Sequence, residues 1–271
     1  MKNYIIGILI LFFVLICTGC SFFDSRTLNM PEKEGRGFLS QLQSYSQEYQ
    51  YAAPWDKEMY ERLYDRASKK YTSVSDIKGA IVPHHILGGE LIAHLFRNLE
   101  KQKPSTVVII GPNHFSRGDH RVLTTSHDWK TPYGVLSTHT KVTDKLLGAG
   151  NVFVGDEAIK EEHSVYALMS FVKKSLPKTK VVTLVLKNNM TKQEQDELVS
   201  DLIGSVPKDT VFISSIDFSH YQIPTATEYH DQFSYNVIKT FDYERFGNLE
   251  IDSIPSLYVL MKLMEHYKTQ K

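Results

Sequence analysis

Four polar segments hold the residues able to do chemistry in this sequence. Pro83-His84-His85, Gly111-Pro112-Asn113-His114 and Asp217-Phe218-Ser219-His220-Tyr221 each bring imidazole to a turn-forming stretch. The fourth, Glu161-Glu162-His163-Ser164, sets a carboxylate beside an imidazole. Imidazole binds divalent metals and carries protons near neutral pH, and a carboxylate can orient it. Each segment alone also has a plainer reading. A single histidine can cap a loop or sit half-buried, and acidic residues suit a helix start because they complement its dipole. On the functional reading, Glu162 and His163 enter the histidine cleft as orienting or proton-transfer groups.

The elements that must position these residues are short apolar runs at 79–82, 106–110, 181–186 and 210–214. All are rich in β-branched residues, as strands buried on both faces require. Helical patterns at 89–101, 163–175 and 192–203 separate them. Strands alternating with helices predict an α/β fold: a single domain with a mostly parallel central sheet covered by helices on both faces. Three strand runs lead directly into the histidine segments, and sites in open α/β sheets form beyond the carboxyl ends of the strands. Upstream, residues 38–70 read as helical with a break near Ala52-Ala53-Pro54, and Tyr60, Leu63 and Tyr64 recur at the spacing of a buried face. Trp129-Lys130-Thr131-Pro132-Tyr133-Gly134 reads as a turn flanking the cleft. The expected organisation is a signal at 1–19, a tether at 20–37, a helical cover at 38–77 and the α/β domain at 78–271.

The N-terminus carries one lysine, an apolar stretch from Tyr4 to Ile16, and then Cys17-Thr18-Gly19-Cys20. That pattern is a secretory signal, because a membrane span needs about 20 apolar residues. Its end resembles a lipobox, which implies cleavage before Cys20 and attachment of acyl chains such as palmitate to it. An uncleaved anchor with Cys20 incidental is the alternative. Either way, the domain is expected outside the cytoplasm, exported and held at the cell membrane. Cys17 and Cys20 are the only cysteines, so any metal in the mature domain falls to histidine and carboxylate. Lys+Arg and Asp+Glu both number 31, and the sequence has no basic stripe, which argues against nucleic acid as a partner.

At these motifs the chain resembles the Memo family, whose bacterial members are called AmmeMemoRadiSam system protein B. Pro83-His84, Gly111-Pro112-Asn113-His114, Thr131-Pro132-Tyr133-Gly134, Glu162-His163-Ser164 and the 215–221 segment follow that family's order and spacing. The resemblance implies the fold of class III extradiol dioxygenases, which use non-haem iron. It also implies a functional link to radical SAM and AMMECR-type proteins. Carried over, His84 and His114 match metal-binding histidines, and His220 matches a histidine facing the metal site. The family's third ligand, a cysteine, falls on Asp252, which would complete a two-histidine, one-carboxylate set suited to Fe(II). A helix N-cap before Pro255 is the other role open to Asp252. The sequence departs from the family in its lipobox, in His85-Ile86-Leu87 after the first histidine, and in ending where the family usually continues into a strand.

The expected function is therefore a membrane-anchored, metal-dependent redox enzyme acting on a small substrate. Fe(II) is its expected cofactor, with copper or zinc as alternatives. His220, Asp217, His163 and Glu162 are the expected catalytic groups. A non-catalytic binding protein keeping the fold, or a metal-dependent hydrolase, are the competing readings.

Overall fold

Val107-Val108-Ile109-Ile110 shows why a strand forms here: side chains on a strand alternate between faces, and all four are apolar and β-branched. Val107 and Ile109 enter one hydrophobic core, Val108 and Ile110 the other. The computed structural model describes residues 7–10, 49–70 and 73–268. In chain order they form β1 (Gly7–Ile10), β2 (Tyr49–Tyr51), α1 (Lys57–Lys70), β3 (Ile77–Val82), α2 (Gly89–Gln102) and β4 (Thr106–Pro112). There follow β5 (Val122–Thr124), β6 (Asp128–Thr131), β7 (Gly134–Leu136), α3 (Thr140–Ala149), β8 (Phe153–Val154) and α4 (Asp156–Lys160). The chain continues through α5 (His163–Ser175), β9 (Lys180–Leu186), α6 (Lys192–Ser205), β10 (Val211–Ser215), α7 (Pro224–Thr240) and α8 (Ile254–His266).

Seven strands build the main sheet in the order β1-β3-β10-β4-β9-β5-β8. Neighbours from β1 to β9 run parallel, and β5 runs antiparallel to β9. Tyr60 of α1, Phe96 of α2 and Phe171 of α5 fill the core on one face. Leu146 of α3, Leu202 of α6, Ile238 of α7 and Leu260 of α8 fill the other. Each such side chain contributes about 1.5–3 kcal/mol on burial, so the two cores hold the strand ends in place. The α/β fold with helices on both faces is as the sequence predicts.

Two local expectations are corrected. Tyr49–Tyr51 is a strand, pairing with β6 in a small β2-β6-β7 sheet, where residues 38–70 read as helical. A three-residue strand is too short to show periodicity, and Lys130 sits over the Tyr49 ring at 4.3 Å. The helix begins only at Lys57, after Pro54, and its buried face is the expected one: Tyr60 and Tyr64 are buried, and Tyr64 Oη lies 2.8 Å from Ser175 Oγ. The second correction concerns Trp129–Gly134, read as a turn beside the cleft. Trp129 to Thr131 lie in β6, and the turn that follows is a hairpin closed by Gly134, whose φ of 105° favours glycine. Tyr133 braces α1, donating its hydroxyl hydrogen to Glu61 at 2.9 Å.

Gly7–Ile10 lies inside the stretch expected to be a secretory signal, and cleavage before Cys20 would remove it and leave β3 at the sheet edge. Cys20, the tether at 20–37 and residues 38–48 lie outside the described residues. Among the described residues, no helix is long and apolar enough to cross a membrane.

Candidate metal centre

β3, β10 and β4 are neighbours, so the segments leaving their carboxyl ends converge. His84 follows β3, Asp217 follows β10 and His114 follows β4. The Ile216 amide donates to Val82 O at 2.9 Å, which continues the β3–β10 pairing up to the site. Asp217 and Asp252 interlock: the Asp217 amide donates to Asp252 Oδ2 at 3.1 Å, and the Asp252 amide donates to Asp217 O at 3.2 Å. Asp217 Oδ1 also accepts the His84 amide at 3.1 Å. Two strand exits and the approach to α8 are thereby locked around one point.

A second lock joins β4 to α5. A Cβ on Gly111 would stand 2.6 Å from Ser164 Oγ, so only glycine permits this approach. Ser164 Oγ then donates to Pro112 O at 2.8 Å. The contact brings the buried Glu162, which caps α5 through the Ser164 amide, against His114. Glu162 Oε2 accepts the His114 amide at 2.8 Å, and Oε1 lies 2.7 Å from His114 Nδ1. An ionised carboxylate can only accept, so the Nδ1 proton is donated to Glu162 and Nε2 is left facing Asp252. Glu162 thus both starts α5 and hydrogen-bonds His114.

The histidine rings gather tightly. His114 and His163 stack at 4.1 Å between centroids and 18° between planes, and His84 stands edge-on to them at 5.1 and 4.9 Å. His84 Nε2 lies 3.3 Å from Asp252 Oδ2 and 3.5 Å from Asp217 Oδ2; His114 Nε2 lies 3.5 Å from Asp252 Oδ2. These separations exceed a good N–H···O hydrogen bond. They match two donors each about 2.1 Å from a shared ion at tetrahedral angles, which lie about 3.4 Å apart. Among the described residues, Asp252 Oδ1 is buried and has no hydrogen-bond partner, the position of an atom awaiting a cation. The residues present therefore fit a divalent metal, in two overlapping triads: His84, His114, His163 and His84, Asp217, Asp252.

Electrostatics agree with this geometry. Burial disfavours a charged His114, but the nearby Asp252 carboxylate and the hydrogen-bonded Glu162 carboxylate outweigh it and push the ring up to about 9. Burial raises Glu162, yet the His114 contact and the Ser164 and His114 amides hold it below the usual carboxylate range. His163 moves the other way, lowered by burial and by the charges of His114 and His84.

The helix-cap role considered for Asp252 belongs instead to Ser253, whose Oγ accepts the Ser256 amide at 3.2 Å. Ser-Ile-Pro-Ser, with proline just inside the helix, carries that signal. His220 stands apart from the cluster. Ser219 is tied to Asp231 of α7 at 2.6 Å and Tyr221 takes a φ of 60°, so the His220 ring is exposed beside Tyr221, with Nδ1 2.9 Å from Phe218 O. Sequence reasoning missed Ser215, whose Oγ lies 3.4 Å from His84 Nδ1; two serines ending an apolar strand were its only mark.

With this geometry in view, residues 45–268 match the family model of Memo-like proteins. The chain belongs to the Memo family. Among Memo relatives, a MEMO1 family protein of Caldivirga maquilingensis is 28% identical over 176 residues, covering 63% of this chain and 62% of the relative. A MEMO1 family protein of Sulfurisphaera tokodaii is 30% identical over 179 residues, covering 62% of each chain. One from Methanosarcina mazei is 30% identical over 177 residues, covering 62% of this chain and 63% of its own. The matched region thus spans less than two thirds of those Memo relatives' length.

Proposed function

We propose that this Memo-family chain is a metal-dependent redox enzyme, using Fe(II) held by His84, His114 and Asp252 and tethered to a membrane through a lipid on Cys20. The observation that carries the metal reading is the Asp252 carboxylate: its Oδ2 stands 3.3 and 3.5 Å from two imidazole Nε2 atoms, and its buried Oδ1 has no hydrogen-bond partner among the described residues. Two histidines and one carboxylate suit Fe(II) and leave positions for a small substrate. Bound iron would supply the redox step. The protein's own residues do the rest: Glu162 holds the His114 proton at Nδ1, and the buried His84 and half-buried Asp252 keep bulk water from the inner side. His163 is the proton acceptor in this reading. It is neutral at pH 7, and its Nδ1 points toward Glu162 at 3.6 Å, leaving Nε2 to take a substrate proton. His220 is exposed, so proton transfer falls to His163 instead.

The test is elemental analysis of the full chain purified without oxygen, followed by oxygen uptake across a panel of small reductants. Stoichiometric iron and substrate-dependent uptake support the reading. Iron-free protein that takes up zinc without oxygen consumption would favour metal-assisted hydrolysis.

A further inference from the structure

We propose that Asp217 is itself a metal ligand, so that the centre is a two-histidine, two-carboxylate set selecting hard divalent ions. The inference rests on the reading that this cluster binds a metal and deepens it. Asp217 Oδ2 and Asp252 Oδ2 stand 3.5 and 3.3 Å from the same His84 Nε2. One ring nitrogen holds at most one proton, so it can satisfy only one of the two carboxylates through a hydrogen bond. Both side chains are largely withdrawn from water, 19% and 8% exposed, and neither faces lysine or arginine among the described ion pairs. Like charges converging on one point destabilise each other unless a cation lies between them.

The remaining hydrogen bonds leave one oxygen of each carboxylate available. Asp217 Oδ1 is engaged by the His84 amide, which orients the carboxylate and frees Oδ2. Asp252 has the complementary pattern, with Oδ2 engaged by the Asp217 amide and Oδ1 buried without a partner among the described residues. Two carboxylates with two neutral imidazoles balance the charge of a divalent ion. Oxygen-rich sets favour Mn(II) and Fe(II), whereas soft ions such as Cu(I) prefer sulfur.

The test uses the full chain, stripped with chelator, and Mn(II) or Co(II) as the probe. Asp217→Asn keeps the Oδ1 acceptor for the His84 amide and replaces the free Oδ2 with an uncharged NH2 that donates and cannot ligate. Its Mn(II) affinity should fall by more than the about 10–100-fold typical of an outer group that merely orients a ligand. A smaller loss overturns the proposal and makes Asp217 a positioning residue. Asp217→Cys reports ligation directly: Co(II) should produce a sulfur-to-metal charge-transfer band absent from the wild type, whose Cys17 and Cys20 set the baseline. A variant that binds Co(II) without that band also overturns it. Failure of the wild type to bind either ion would instead sink the metal-centre reading itself.

Discussion

At the residue scale, His114 links protonation, folding and metal binding. Glu162 occupies Nδ1, so the proton that titrates near pH 9 sits on Nε2, the nitrogen aimed at the metal position. In the metal-free protein this histidine's folded pKa lies above its ordinary 6.5. Its contribution to stability is therefore complete below about pH 6.5 and lost as pH rises toward 9. Thermal melts of the metal-free chain should show that decline, and Glu162→Gln should flatten it by returning His114 toward its ordinary value. An unchanged slope in Glu162→Gln would show that Glu162 does not set the His114 proton. Metal and proton compete for the same lone pair, so metal affinity should strengthen as pH rises toward 9, read by calorimetry in several buffers. Most of this site was legible as residue types, since His84, His114, Glu162, His163 and Asp217 all stand beside predicted elements. The His220 side chain was not, because a tie from Ser219 to Asp231 and a left-handed Tyr221 decide where it points, and neither leaves a periodic trace.

At the element scale, Ser253 and Asp252 are adjacent residues with separable roles. Ser253→Ala removes the cap of α8 and should cost about 1 kcal/mol of stability, with metal binding retained. Gly111→Ala should destabilise by about 1–3 kcal/mol, since the new methyl meets Ser164 and separates β4 from α5. It should also weaken metal binding, because Glu162 reaches His114 only through that contact; equal affinity would show that the β4–α5 approach does not position the site. The elements themselves divide by length. Strands of five to seven residues buried on both faces, such as β4, β9 and β10, announce themselves as apolar runs. The three-residue β2 and β7 do not, because pairing with β6 rather than their own sequence defines them.

At the scale of the whole molecule, two cores fix the sheet, and the sheet carries its polar residues at one end. Fold class followed from alternation of strand and helix, and the site's location from the carboxyl ends of adjacent strands. Location in the cell rests on the N-terminal segment alone. Cys20→Ser should abolish incorporation of labelled fatty acid and leave unprocessed precursor, and undiminished labelling in that variant would overturn the anchor. The central claim is that His84, His114 and Asp252 together hold a divalent metal. The most direct measurement is anaerobic titration of Fe(II) into the chelator-stripped chain and its Asp252→Asn variant, with metal-free melting temperature recorded for both. Tight binding by the wild type and loss of most of that affinity in the variant are expected, with the metal-free melt losing only the attraction between Asp252 and His114 because Ser253 still caps the helix. Equal Fe(II) affinity in the two proteins would contradict the claim.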